Sequence, residues 1–483
     1  MADRDPDRSR SRPRPADAQP GTAGPDEGPS AGSRRVVLVV MCAGYFLVLL
    51  DVTIVNVALP HIAGALSTGG SGLQWVVDAY TVVLAAGMLS AGTVGDLYGH
   101  KRVVLAGLAV FGLASLGCGL APGPGTLIAF RALQGVGAAL LLPGTLAVIT
   151  HTFPGKGEQA RAIGLWAGIG SVALAAGPLL GGVLVQWLSW RAVFLLNVPI
   201  VVAALMTAGR VVRESREARG RRLDPPGMLL GAVALFAVTF AFIQAGRSGR
   251  GIAVDVAIGA AVVTPAAFVV TEHLREQPML PLRYLRRPAF TTANAVAGVM
   301  NLGTLGALFV LTLYLQVVQH RSAIEAGAAT IPLFLPLSVL APFAGRLTAR
   351  IGPRIPMAGG LFVSAAGLAL LGVLHADSPY GELLPALLLW GIGLGLLTPA
   401  VVAAGMSAVP AEQAGLASAV NNTARQTGGA VGIAAFGALA GSTAHPPSFL
   451  TGMHQAAFVA VGLYLAAALA TLAAIPRRGP SAG

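Results

Sequence analysis

Apolar runs of about twenty residues recur along the chain, separated by short polar stretches. At 1.5 Å of rise per residue, a run of that length crosses a hydrocarbon core of about 30 Å as one helix. The runs fall near residues 35–57, 73–93, 103–121, 126–150, 160–186 and 191–209, then 227–246 and 251–271, then 289–316, 326–345, 355–375, 382–408, 415–440 and 455–475. This pattern predicts an all-α membrane protein of fourteen transmembrane helices, with two six-helix bundles at 34–209 and 289–475. Two extra central helices lie at 227–271, between a connector at 210–226 and a loop at 272–288, and are expected to be peripheral inserts.

Composition strengthens that picture. Hydrophobic residues make up 55% of the 483 positions and charged residues 11%, and mean hydropathy is +0.73. No single water-soluble core hides so much apolar side chain, so the solvent is lipid. The net charge of +12 does not mark a nucleic-acid binder, because the basic residues gather in alternate loops and not along one helix face. Lys101 and Arg102 follow span two, Lys156 and Arg161 span four, and Arg210, Arg213, Arg216, Arg219, Arg221 and Arg222 span six; Arg275, Arg283, Arg286 and Arg287 follow span eight, Arg346, Arg350 and Arg354 span ten, and Arg477 and Arg478 end the chain. Arginine and lysine resist crossing the bilayer, so both termini are expected in the cytoplasm. Residues 1–33 read as a disordered tail with no cleaved signal, and 476–483 as a short cytoplasmic tail. Cys42 and Cys118 fall inside apolar runs and read as packing residues.

A weak internal repeat relates Gly92 through Lys101, after span two, to Gly345 through Arg354, after span ten. Repeated halves place a substrate site at their interface, reached from either side as one half rocks against the other.

Asp51 lies sixteen residues beyond Arg35, about 24 Å into the bilayer. Acids at such depth line cavities or proton routes far more often than they merely brace packing. Asp78, early in span two, and Arg131, early in span four, reach comparable depth and are expected to share one cavity with Asp51; interfacial snorkelling is the other reading for both. Span five carries Gly164, Ala173, Gly177, Pro178, Gly181 and Gly182, a ladder of small residues that admits a neighbouring backbone, and Pro178 frees the carbonyl of Leu174. In span thirteen Asn421 and Arg425 form a candidate polar site, with Arg425 either countering an anionic group or closing a helix-end contact. Trp75, Tyr80, Trp166, Trp187 and Trp190 read mostly as interfacial anchors.

All eight histidines lie in loops or at span ends, and there is no P-loop and no paired-cysteine metal motif. The expectation is a protein that is not an enzyme, needs no metal or cofactor, and draws on an ion gradient. Its partners are then a small-molecule substrate, protons and membrane lipid, with no nucleic acid, and it is expected to act as a monomer.

At these residues the chain resembles the major facilitator superfamily, specifically its fourteen-span drug:proton antiporter family, over residues 34 to 475. Leu50-Asp51-Val52-Thr53-Ile54-Val55-Asn56-Val57-Ala58-Leu59-Pro60 resembles the first-helix signature, and Arg131 through Gly137 the fourth-helix motif, whose arginine the family uses in proton coupling. Gly164 through Gly182 is similar to the exporter-associated fifth-helix motif, with Ala173 where glycine is usual. Trp190-Arg191 and Asn197-Val198-Pro199 resemble the segment that follows. Gly92, Asp96, Gly99, Lys101 and Arg102 fit the gating-loop pattern, while Leu97 and His100 stand where basic residues are expected. Gln74 through Tyr80, with Asp78, resembles a variant found among actinobacterial antibiotic exporters. The resemblance implies the major facilitator fold and antiport: Asp51 and Asp78 exchange protons and Arg131 couples their charge to substrate, in export of amphipathic drugs, dyes or natural-product antibiotics from a bacterial cytoplasmic membrane. A metabolite or siderophore transporter of the same fold, and a membrane sensor without flux, are the rival expectations.

Overall fold

The computed structural model describes residues 31–153, 155–215, 225–247, 252–275, 282–409, 414–442 and 446–476. Residues 1–30 of the tail predicted over 1–33, most of the arginine-rich connector and the last seven residues, Arg477 and Arg478 among them, lie outside the described residues, while 31–33 already belong to the first helix.

The described chain is a succession of helices: α1 (Ala31–Leu66), α2 (Gly70–Tyr98), α3 (His100–Gly119), α4 (Pro124–Thr152), α5 (Lys156–Trp187), α6 (Ala192–Leu195), α7 (Asn197–Val211), α8 (Pro225–Arg247), α9 (Ile252–Leu274), α10 (Pro288–Leu313), α11 (Ala323–Ala329), α12 (Ile331–Ile351), α13 (Arg354–Leu371), α14 (Tyr380–Ser407), α15 (Ala414–Ala440) and α16 (Pro446–Ala474). Three predicted spans have a break or a change of pitch. α6 and α7 together make the sixth, α10 runs on through a π-helical turn at Tyr314–Val318, and α11 and α12 together make the tenth. In the tenth, Pro332 stands beside the break at Thr330 and has no N–H to continue the ladder. Among the described residues twelve such spans are long and apolar enough to cross a membrane; α2 and α15, of similar length and enclosed by their neighbours, complete the predicted series.

In the first half α4 packs against α1, α2 and α3, and α1 lies along α5. In the second, α10 lies along α15, and α14 along α12 and α13. The halves meet where α2 crosses α15 and where α5 crosses α11 and the start of α12. α9 packs on α8 with its valines Val256, Val262, Val263, Val269 and Val270 exposed, as a lipid-facing helix requires. α8 packs against both α2 and α15 with one face and exposes Leu229, Val233, Phe236 and Phe242 on the other.

The internal repeat has a backbone counterpart. Gly99 ends α2 with φ 100° and its N–H donates to the Gly95 carbonyl at 2.9 Å; Gly352 ends α12 with φ 84° and donates to Thr348 at the same distance. Both sit in a region that penalises any Cβ, so the two aligned glycines make the same turn in each half.

Candidate functional site

We call the end of the bundle at which α1 begins proximal and the other end distal. α1 and α4 bring Asp51 and Arg131 together in the interior, both essentially without exposure. Arg131 Nη1 donates to Asp51 Oδ2 and, at 2.7 Å, to Gln134 Oε1, while its Nε donates to the Val76 carbonyl at 2.9 Å. Gln134, one turn along α4, completes the ring by donating through Nε2 to Asp51 Oδ1 at 3.0 Å and to Ser115 Oγ at 3.0 Å. Ser115 in turn donates to the Phe111 carbonyl and accepts from Asn197 of α7. The Arg131 guanidinium sits 4.3 Å from the centroid of the Tyr80 ring, whose hydroxyl is tied to the Val48 carbonyl at 3.1 Å.

This is a buried ion pair whose carboxylate is held on both oxygens and whose guanidinium is shared among three acceptors. Such a pair is costly to break from one side, because the partner then stays buried with its charge uncompensated. Glycine permits the close approach: a Cβ on Gly135 would meet the Tyr80 carbonyl oxygen at 2.6 Å. Gln134, Ser115, Tyr80 and Asn197 join the site without having been singled out for it. Gln134 had a signal, since it lies inside the fourth-helix motif, and Tyr80 proves to be a core residue and not an interfacial anchor.

Asp78 lies elsewhere. Val76 and Tyr80 face Arg131, and at 100° per residue Asp78 points to the opposite side of α2. It is fully buried and neither carboxylate oxygen has a hydrogen-bond partner. The expectation of one cavity for Asp51, Asp78 and Arg131 is therefore corrected: the structure joins the first and third and separates the second.

The fifth-helix ladder splits by face. Cβ atoms added at Gly177 and Gly181 would lie 2.0 Å from Thr53 Oγ1 and 2.8 Å from the Ile54 carbonyl oxygen, both on α1; one at Gly182 would lie 2.6 Å from the Ala323 carbonyl oxygen of α11. Gly327 of α11 returns the contact, its Cβ position being 2.2 Å from the Pro178 carbonyl oxygen. Ala173 is buried in the core. Gly164 has nothing within 4 Å of its Cβ position, so it takes no part in this packing. Hydrogen bonds across the halves sit at the same distal level: Gln316 to the Val57 carbonyl at 2.9 Å, Ile324 N–H to Gln186 at 3.3 Å and Gln74 to the Ala434 carbonyl at 3.5 Å.

At the proximal end of α2, the Lys101 N–H donates to Glu214 at 3.1 Å, Lys101 Nζ to the Gly209 carbonyl at 2.8 Å, and Arg102 pairs with Glu214 at 3.7 Å. Glu214, which sequence reasoning passed over, thus ties the α2–α3 turn to the chain after α7. His100 is buried, with its ring 5.3 Å from that of His151. The side chain of Asp96, like position 92, lies outside the described residues. In the second half Asn421 donates to Asn294 of α10 at 3.2 Å, a bond within that half. Asn421 and Arg425 stand four residues apart on α15 and so share one face of it. Across the halves from α15, Tyr45 of α1 stacks on Trp166 of α5 at 3.7 Å. Trp75 packs on Phe236 of α8 and Trp190 is buried, so of the five aromatics only Trp187, at the exposed end of α5, keeps an anchor's position.

A sequence model described as the Major Facilitator Superfamily matches residues 41–433. The chain belongs to the Major Facilitator Superfamily. Within it the chain is 38% identical over 402 residues to the puromycin resistance protein pur8 of Streptomyces alboniger, covering 82% of this chain and 80% of that protein. It is 37% identical over 460 residues to a methylenomycin A resistance protein of Streptomyces coelicolor, covering 92% and 94%. A crystal structure of a peptide transporter, POT, in complex with sulfate superposes with a TM-score of 0.66 at 16% identity over 91% of this chain and 95% of the other, and shares the superfamily fold.

Proposed function

We propose that this protein is a proton-driven antiporter that exports small amphipathic molecules, natural-product antibiotics among them, across a bacterial cytoplasmic membrane. The observation that carries the reading is the buried Asp51–Arg131 pair, set beside a helix, α1, that also forms half of the glycine-lined contact with α5. Relatives named for puromycin and methylenomycin A resistance support export over uptake.

Protonation of Asp51 would remove the anion that compensates Arg131 and leave a bare guanidinium in the core. That state is relieved only if neighbouring helices move, which links proton occupancy to the arrangement of the halves. With the arginine-rich loops in the cytoplasm, the distal ends joined by Gln316, Ile324 and Gln74 would face outward, and an exporter would load from the opposite side. The stacked rings of Tyr45 and Trp166 offer a surface that suits flat amphipathic compounds.

Vesicles reconstituted with the purified chain test this. Puromycin or ethidium added on the loading side should move protons the other way, and Asp51→Asn should abolish that movement while protein levels stay unchanged. Undiminished proton movement in Asp51→Asn removes the pair from the mechanism, and absence of any substrate-dependent movement in the unmutated protein returns the reading to a sensor without flux.

A further inference from the structure

A narrow crevice lies where the halves meet toward the distal end. Its polar lining is Thr53 and Asn56 of α1, Thr312 of α10 and Thr330, the residue at the break between α11 and α12; the rest of the lining is apolar. The bond from Gln316 to the Val57 carbonyl runs along its edge, since Val57 is part of the same lining. Oxygens of both halves therefore border one small space.

The hydrogen bonds of these residues leave mainly acceptors to face it. Thr312 donates to the Leu308 carbonyl at 2.9 Å and Thr330 to the Gly327 carbonyl at 2.8 Å, while Thr53 shares its one proton between the Leu50 and Leu174 carbonyls at 3.3 Å each. Asn56 turns its amide nitrogen back to the Val52 carbonyl at 3.0 Å. Its Oδ1, in a residue only 3% exposed, has no donor among the described residues. Gln316 Oε1, brought to the same edge from the other half, is likewise buried without one. Every hydroxyl proton is thus committed to the main chain, and lone pairs are what remains. An orphan acceptor in a buried contact is costly, so this junction closes at a penalty unless something positive meets the oxygens.

The lining decides what that is. A divalent ion calls for carboxylates, and the crevice has none. A drug-sized ligand is excluded by space, because the closed crevice is too tight even for a water molecule. Sodium approaches oxygen more closely than water or potassium does, and neutral oxygens beside a broken helix are a setting in which transporters hold it.

We propose that the crevice is a sodium site, in which Asn56 Oδ1 and the hydroxyl oxygens of Thr53, Thr312 and Thr330 hold the ion and the ion fastens the distal ends together. The ligands come from α1 on one side and from α10 and the α11–α12 break on the other, so parting the ends takes the site apart and returns the ion to water. The inference goes beyond the antiport reading and does not need it.

The purified full-length chain carrying Ala323→Cys, in detergent and without substrate or ion gradient, tests this. Ala323 is buried at the distal junction, so its thiol reacts when the ends part, while Cys42 and Cys118 are buried within the first half. At constant ionic strength, with N-methylglucamine as the replacement cation, sodium should slow labelling saturably and several-fold, and potassium should not. Asn56→Leu should label at one rate with and without sodium. Thr312→Val keeps the shape and removes one oxygen, and should need roughly tenfold more sodium for half the effect. Should Asn56→Leu fail to fold, retention of radioactive sodium by the unmutated chain and its weakening in Thr312→Val decide the matter. Labelling that ignores sodium in the unmutated chain, responds equally to potassium, or keeps its sodium dependence in Asn56→Leu overturns the proposal. Efflux that ignores the proton gradient would sink the antiport reading alone, because neither substrate nor gradient enters this measurement.

Discussion

The Thr53 hydroxyl of α1 lies 3.3 Å from the carbonyl oxygen of Leu174 in α5, the acceptor that Pro178 leaves without an intrahelical N–H. The same hydroxyl lies 3.3 Å from the Leu50 carbonyl of its own helix, so its one proton is shared between an acceptor of α1 and the one that the kink in α5 exposes. Thr53→Val should cost about 1 kcal/mol, the usual net worth of such a bond. Pro178→Ala restores the N–H, so the same Thr53 change made in that background should cost less. Thermal unfolding of the four proteins in detergent measures the difference, and equal costs in both backgrounds would show that the bond does not carry the effect.

The glycines of α5 should not respond alike. Gly177→Ala puts a methyl group 2.0 Å from Thr53 Oγ1 and 3.0 Å from the Ile54 nitrogen, so α5 must back away from α1, at a cost of roughly 1–3 kcal/mol. Gly164→Ala meets nothing within 4 Å and gains helix propensity, and should be neutral or stabilising by up to about 1 kcal/mol. Melting temperatures that fall equally for both would contradict the division of the ladder by face.

At the buried pair, geometry matters as much as charge. Lysine in place of Arg131 keeps the cation but cannot reach Asp51, Gln134 and the Val76 carbonyl together, as the guanidinium does. Losing one such charged hydrogen bond is worth about 1.5–3 kcal/mol, or roughly ten- to a hundredfold. Arg131→Lys should therefore reduce proton-coupled efflux by about that factor in vesicles. Efflux at the original rate would mean that only the charge is used.

How far the site was legible can be judged from Asp51, Asp78 and Arg131. The first and third are recognisable because they sit in motifs and carry the only acid and base so deep in their spans. Placing Asp78 needs the rotation of α2 about its axis, and hydrophobic periodicity does not supply it, since lipid is as apolar as a protein core and blurs the inward and outward faces. The same blurring hid α8: Leu235, which packs on α2 and α15, and Phe236, which is half exposed, are equally apolar in sequence. The glycine turns at Gly99 and Gly352 were legible as a repeat because backbone conformation, unlike helix rotation, constrains residue type directly.

Glu214 gives a prediction with two opposed magnitudes. Its ion pair with Arg102 is largely exposed, so Glu214→Gln should change stability by less than about 1 kcal/mol. Gly99→Ala acts on the same contact from the other side. It forces a Cβ into a backbone at φ 100°, 2.3 Å from Glu214 Oε1, and should cost on the order of 1–3 kcal/mol. Chemical unfolding that ranks the two in the reverse order would mean that the side-chain pair, and not the turn, holds α2 to the chain after α7.

The distal contact between the halves depends on backbone approach that only glycine permits. A Cβ on Gly327 would lie 2.2 Å from the Pro178 carbonyl oxygen and 2.8 Å from its carbon, atoms of a helix backbone that cannot turn aside as a side chain can. Gly327→Ala should therefore act on the closed arrangement of the halves and spare the fold of each, because Gly327 makes this contact with the other half. The expected result is a chain that reaches the membrane at normal levels and melts within about 1 kcal/mol of the original, as substitutions without intradomain contacts do. Its distal ends should nevertheless spend more time apart. Labelling of a cysteine at Ala323, which is buried against Gly182 when the ends are joined, should be faster in Gly327→Ala than in the same cysteine variant without it. Equal labelling rates would show that α5 and α11 can close without this contact, and the glycines on either side of it would then owe their presence to packing within each half.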